Sequence, residues 1–230
     1  GMSKGFSCQI VAQESVNWIT GHVKKNPDQP FFSYVAFHEP HEPIASPKNL
    51  INNYPNAKKR GEALYYANVE NMDSAVGQIT RCLDRLNITK NTLVIFSSDN
   101  GPETLNRYRS AWRSHGSPGP LRGMKLHTHE AGIRVAGIMR WPIQIKAKQV
   151  SDAPVSALDL LPTFASLAAG EIPIDLKLDG ADIVNAFGGS LVQRKQPLFW
   201  CYYSSLNKAK IAIRDGEWKL LASLKSSDGK

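Results

Sequence analysis

No apolar run in this chain approaches the roughly 20 residues needed to cross a bilayer, so a membrane-spanning helix is not expected. Cysteine is scarce: Cys8, Cys82 and Cys201 are far apart, odd in number and outside any Cys-x-x-Cys spacing. That argues against a disulfide framework and against a zinc site; Cys82, on a predicted helix face, reads as an apolar filler. No basic, apolar, small-residue leader opens the chain, so no signal peptide is visible. Gly1 ahead of Met2 looks vector-derived, and a true leader could have been removed or could belong to an upstream region. There is no internal repeat and no low-complexity segment. Acidic residues are outnumbered, 20 against 28 Lys and Arg, for a net charge of +8. A basic excess suits anionic partners. The basic residues are dispersed, with Lys58-Lys59-Arg60 only a short cluster. No aromatic-plus-basic module accompanies them, which argues against nucleic acid.

What is present is an ordinary globular balance: 42% hydrophobic and 21% charged residues over 230 positions, enough for a sizeable core. The length fits one large domain or one and a half ordinary ones. The central stretch is 91–135. Leu93-Val94-Ile95-Phe96 stops abruptly at Asp99-Asn100-Gly101, the pattern of a buried strand delivering polar groups at its C-terminal end. Ligand sites in open α/β sheets lie there. Asp99 and Asn100 offer hard oxygens suited to Ca²⁺ or Mg²⁺, and Gly101 would permit a sharp exit with positive φ. The alternative is an ordinary Asx-Gly turn.

The rest of the chain can be taken in order. Residues 3–12 show no strong pattern and predict a poorly ordered start; residues 11–24 predict an amphipathic helix. Phe31 to Phe37 reads as a second buried strand discharging into His38-Glu39-Pro40-His41-Glu42-Pro43. Its prolines stiffen the tip, and a fixed imidazole suits proton donation or anion binding near neutral pH. A long helix is predicted over 61–86, with Asp73 beside its apolar face. Asn87-Ile88-Thr89 matches a glycosylation acceptor, relevant only to a secreted eukaryotic protein. Residues 102–120 form a long polar loop, 134–140 a strand and 157–169 a helix with Pro162 near its first turn. Residues 198–203, 210–214 and 218–222 read as short strands, with Asp215-Gly216 a hairpin signal, and 223–230 as a frayed end. The order argues for an α/β layered core with a small C-terminal antiparallel β element.

Taken together, Pro30-Phe31-Phe32, His41-Glu42-Pro43, Met72-Asp73, Ser98-Asp99-Asn100-Gly101-Pro102-Glu103, Gly119-Pro120-Leu121-Arg122-Gly123 with Lys125, Glu130 with Gly132 and Arg134, Asp159-Leu160-Leu161-Pro162-Thr163, Asp179-Gly180 and Arg214-Asp215-Gly216 with Trp218-Lys219 resemble the sulfatase family of the alkaline phosphatase-like superfamily. The resemblance runs from about residue 11 to 220, and its loops look most like the arylsulfatase A and N-acetylgalactosamine-6-sulfatase branch. It implies a layered, mostly parallel sheet flanked by helices, incomplete here. Residues 1–170 would form the C-terminal part of the catalytic α/β domain and 171–230 a small C-terminal subdomain. It also implies roles. Asp99 and Asn100 would ligate a divalent cation, normally calcium, otherwise magnesium. His41 would contact the sulfate ester and protonate the leaving oxygen. Lys125 would bind a sulfate oxygen, and Glu130 and Arg134 would brace the Lys125 loop by semi-buried pairing. His38, His127 and His129 are weaker candidates for rim contacts. The substrate would be a sulfated small molecule or glycan, and the family is commonly periplasmic, secreted or lysosomal.

The family's nucleophile comes from a Cys-x-Pro-x-Arg or Ser-x-Pro-x-Arg segment. None of Cys8, Cys82, Cys201, Ser46-Pro47 or Ser117-Pro118 fits it, so no nucleophile is identified in this chain. The expectation is a sulfate-ester hydrolase in complete form and an inactive chain alone. Competing readings are a non-catalytic module that binds sulfated polyanions or pairs with a separate N-terminal half, and a phosphodiesterase or phosphonate hydrolase of the same superfamily. Strands deprived of neighbours should leave exposed edges and apolar surface, which predicts homo-oligomerisation.

Overall fold

The computed structural model describes residues 4–103, 109 and 111–223. The chain divides into two compact units, one of residues 1–92 with 102–119 and one of 93–101 with 120–230. The first holds α1 (Ser7–Lys25), α2 (Lys48–Ile51) and α3 (Glu62–Arg85). The second holds β1 (Val94–Ser97), α4 (Glu130–Ile133), β2 (Gly137–Arg140), α5 (Leu160–Leu167), β3 (Leu198–Cys201), β4 (Ile211–Asp215) and β5 (Trp218–Ala222). None of the described helices is long and apolar enough to cross a membrane.

In the first unit α1 packs on α3 through Cys8, Ala12 and Ala75, flanked by Phe6, Phe37 and Ile79. Three small side chains at the crossing let the backbones approach closely. The buried face of α3 carries Ala67, Asn71, Ala75 and Cys82, a row at helical spacing that makes this helix legible from sequence. Asn71 is satisfied inside the pair: it donates to Cys8 Sγ at 3.1 Å and accepts from Gln9 Nε2 at 2.9 Å. Asp73 faces solvent.

The expected frayed start is instead helical from Ser7, because a distant residue completes the helix end. Phe6 supplies no side-chain cap. Glu39, 8% exposed, accepts from Ser7 Oγ at 2.5 Å and from the Cys8 amide at 3.0 Å, meeting an otherwise orphaned donor at the positive end of α1. Burial pushes the Glu39 carboxyl up, but the hydrogen bonds from Ser7 and Cys8 outweigh it and hold the group below its usual range. Burial, with the Glu39 charge beside it, pushes the Cys8 thiol up to about 12, so this cysteine is an inert core group.

Residues 31–37 form no regular element and join neither sheet, and Tyr34 is 82% exposed. The buried strand expected there is not formed. Among the described residues β1 pairs antiparallel with β2, Val94 opposite Arg140, and β3–β4–β5 is an antiparallel meander. An apolar run specifies extended backbone, whereas strand direction depends on which neighbour supplies the ladder. The hairpin expected at Asp215-Gly216 is present, with Gly216 at φ +54°.

The second unit is tied internally by Asp159, fully buried. Its carboxylate accepts from the Ser156 amide at 2.7 Å, the Ala181 amide at 2.8 Å and both Arg194 terminal nitrogens at 2.7 and 2.6 Å. Thr163 continues the network, donating to the Asp159 carbonyl at 2.6 Å and accepting from the Ile183 amide at 3.1 Å. These ties cross the boundary expected near residue 170. A Cβ on Gly180 would lie 1.9 Å from the Leu158 carbonyl oxygen, so Asp179-Gly180 and Asp159-Leu160-Leu161-Pro162-Thr163 interlock as framework.

Candidate active site

The Asp99-Asn100-Gly101 turn leaves the end of β1. Asp99 is exposed and Asn100 half-buried. Asp99 Oδ1 accepts from the Asn100 amide at 2.9 Å, Ser98 Oγ donates to the Asn100 carbonyl at 3.1 Å, and Asn100 Nδ2 donates to the Gly101 carbonyl at 3.1 Å. This local bonding differs from the Asx turn weighed as the alternative, because the Asp99 carboxylate accepts from the amide one residue on rather than two. It orients both side chains and leaves Asn100 Oδ1 free of these bonds. Gly101 is required for space rather than for left-handed backbone. It is not among the positive-φ glycines, and a Cβ there would lie 1.6 Å from the Ala131 carbonyl oxygen. That close approach carries a hydrogen bond from the Gly101 amide to the Gly132 carbonyl at 3.0 Å.

Gly132 in turn seats the Lys125 loop: a Cβ on it would meet the His127 carbonyl oxygen at 2.1 Å and that of Met124 at 2.6 Å. The loop closes through His127 N to Met124 O at 3.0 Å and Ala131 N to Arg122 O at 3.0 Å, with Gly123 at φ +94°. Buried Thr128 anchors it from below, donating to the Ala209 carbonyl at 3.0 Å and accepting from Asn207 Nδ2 at 3.0 Å. Gly101 and Gly132 therefore bring the Asp99-Asn100 turn and the Lys125 loop together. The Lys125 ammonium has no ion-pair partner among the described residues.

Glu130, the expected brace of this loop, lies at the start of α4 and pairs with Lys219 Nζ at 2.6 Å and Arg214 Nη1 at 3.7 Å. Arg134 lies exposed; its backbone amide bonds Glu130 O at 2.7 Å. The bracing cations missed by sequence reasoning had a usable signal. A tight hairpin at Gly216-Glu217 makes Arg214 and Lys219 cross-strand neighbours on one face. Like charges directly opposite repel, and Glu130 offsets both. Around it the loop stays basic. Burial, then the charges of Arg122, His127 and Lys219, push the His129 imidazole below its ordinary value, which disfavours a further positive charge there. The ring lies 5.5 Å from that of His127.

His41 belongs to the first unit. It is exposed, and its Nδ1 lies 2.6 Å from the Glu42 carbonyl oxygen. A carbonyl only accepts, so Nδ1 carries the proton and Nε2 faces outward. His38 stands beside it, ring centroids 5.6 Å apart. The prolines of the tip are both preceded by cis peptide bonds. The acids point inward: Glu39 caps α1, and Glu42, 6% exposed, accepts from the Ile44 amide at 3.0 Å and lies 3.3 Å from Arg113 Nε. That ion pair is close without being aligned as a hydrogen bond.

No cluster of three or more His, Cys, Asp or Glu side chains that could hold a metal occurs among the described residues. The donor chemistry of Asp99 and Asn100 fits a hard cation, but two oxygens fall short of the six to eight that calcium takes; they fit part of such a shell.

The family model described as Sulfatase matches residues 3–171, and that for the N-sulphoglucosamine sulphohydrolase C-terminal region matches 124–229. The chain is 35% identical to steryl-sulfatase of Rattus norvegicus over 92% of its own length and 34% of that protein's. It is 35% identical to arylsulfatase A of Homo sapiens over 84% of this chain and 36% of that one. Among solved structures it is similar to Ps i-CgsB in complex with k-i-k-neocarrahexaose, TM-score 0.82 and 30% identity, covering 95% of this chain and 46% of that one. It is also similar to a glycosaminoglycan-metabolism sulfatase of Bacteroides thetaiotaomicron, TM-score 0.73 and 26% identity, covering 93% and 43%. The chain thus spans about a third of the length of the curated relatives it matches, and the likeness supports an α/β class of the sulfatase type despite the antiparallel pairings described above. From these matches and the loops that carry its motifs, the chain belongs to the sulfatase family.

Proposed function

We propose that this chain carries the cation- and sulfate-binding part of a sulfate-ester hydrolase site and does not turn over substrate by itself. The observation that supports this best is the hydrogen bond from Gly101 to Gly132, which holds the Asp99-Asn100 turn against the Lys125 loop. Cleavage of a sulfate ester spreads negative charge over non-bridging oxygens and a departing alkoxide. The Lys125 ammonium, which has no ion-pair partner among the described residues, is suited to the former. By the resemblance alone, His41 would give a proton to the latter. Asp99 and Asn100 would hold calcium or magnesium, which supplies further electrostatic stabilisation of sulfate oxygens. Glu130 serves as a positioning residue, holding Lys219 and Arg214 beneath the loop. The substrate is a sulfated small molecule or glycan, acted on in an exported or lysosomal compartment.

The test is an aryl sulfate given to the purified chain with calcium. No phenol is released, the ester binds, and Lys125→Ala weakens binding about tenfold or more, the worth of one charge-assisted contact. Robust hydrolysis abolished by Asp99→Ala would refute the inactivity, and unchanged binding by Lys125→Ala would remove the anion site.

The same reading includes self-association. On one face of the β3–β4–β5 sheet Phe199 is 53%, Trp218 84% and Leu220 63% exposed, with Phe199, Ile213 and Leu220 in one cross-strand row. Such a patch is normally covered. Light scattering is expected to show a dimer or larger species at high concentration; a clean monomer counts against it.

A further inference from the structure

The first unit contains a groove of about 400 Å³ lined by residues 53–59 with Glu62 and Tyr66. None of its residues belongs to the Asp99-Asn100 turn or the Lys125 loop. Tyr54 and Tyr66 form an angled wall, ring centroids 5.5 Å apart and planes 58° from parallel. The acids nearby are already engaged as scaffold. Glu62 accepts from the Lys58 amide at 2.7 Å, the Lys59 amide at 3.1 Å and the Tyr66 hydroxyl at 2.9 Å, and Glu70 accepts from Asn53 Nδ2 at 3.0 Å. Three bonds to one carboxylate fix the loop and aim one ring. They leave the Lys58 and Lys59 side chains exposed, with no ion-pair partner among the described residues.

We propose that this groove binds a sulfated saccharide. A sugar ring presents an apolar C–H face that packs on tyrosine, hydroxyls that suit the Asn56 amide and tyrosine oxygens, and an anionic substituent that suits Lys58 and Lys59. The choice of sulfate among anions rests on the function proposed above; the groove and its aromatic wall do not.

Titration calorimetry on the full chain, in metal-free buffer, tests it with a sulfated tetrasaccharide, its desulfated counterpart and a polyphosphate of matching charge. The sulfated sugar is expected to bind, and the other two to bind at least about tenfold more weakly. Lys58→Ala with Lys59→Ala, both exposed and harmless to the core, lowers affinity about tenfold or more, and Tyr54→Ala lowers it for the same ligand. Lys125→Ala leaves the binding that depends on Lys58 and Lys59 in place. Retention of affinity by the double lysine variant overturns the proposal, as does equal binding of polyphosphate or loss in Lys125→Ala of the binding that depends on Lys58 and Lys59. If the saccharide binds as expected while the aryl sulfate shows no Lys125-dependent binding, the active-site reading falls and the groove stands.

Discussion

Replacing Arg194 by alanine is expected to cost about 3–5 kcal/mol of folding stability, the range for removing one partner of a buried pair. Arg194 makes two contacts to a fully buried carboxylate and a third, at 2.7 Å, to the Pro154 carbonyl. Without it, Asp159 keeps its charge in a site supplied only by the Ser156 and Ala181 amides. The pH dependence has a definite sign. Burial pushes the Asp159 carboxyl up, but the bonds from Arg194, Ala181 and Ser156 outweigh this and hold it below the ordinary value of 3.8. A depressed folded-state value stabilises the fold above the unfolded value and loses that contribution as pH falls through the folded one. Urea midpoints should therefore decline below about pH 4 in the parent chain, with a shallower decline in Arg194→Ala. A midpoint unchanged at neutral pH would show that the pair is dispensable.

Gly101→Ala is the second large effect, and its reach is functional. The added carbon would sit 1.6 Å from the Ala131 carbonyl oxygen and 2.7 Å from its carbon. Backbone rather than a flexible side-chain tip must move, so the cost should reach about 3 kcal/mol, the upper part of the usual overpacking range. The shift would break the Gly101–Gly132 bond, separating the Asp99-Asn100 turn from the Lys125 loop and weakening aryl sulfate binding. Gly137→Ala is the control: nothing lies within 4 Å of its Cβ position, and its stability should stay within about 0.5 kcal/mol. Equal stability and equal ligand affinity for the two variants would dismiss the argument.

Particular residues show why some of this was legible in the sequence. The α3 pattern was readable because its buried positions recur at the helical period. The Asp215-Gly216 hairpin was readable because turn chemistry is local. The run 31–37 misled because an apolar stretch looks the same whether it enters a sheet or passes over other elements. The tip at 38–43 was assigned to its histidines, yet its acids do the structural work, Glu39 on α1 and Glu42 beside Arg113. Gly101 was valued for its backbone freedom and proved necessary for its lack of a side chain. Segments 104–108 and 224–230, within the long loop and the tail expected to fray, lie outside the described residues.

The sequence by itself determined the long helix, the C-terminal hairpin, the absence of a cysteine framework and the family to which the loops belong. Each depends on periodicity, turn residues or motif order, all properties of neighbouring positions. Only the tertiary structure decided that Glu130 rests on Lys219 and Arg214 and that Glu39 completes α1. It likewise decided that Asp159 is held by Arg194 and that Gly101 clasps Gly132. Each of those is a charge or a backbone group satisfied by a partner 31 or more residues away. Burial of a polar group depends on what folding brings beside it, which no local pattern specifies.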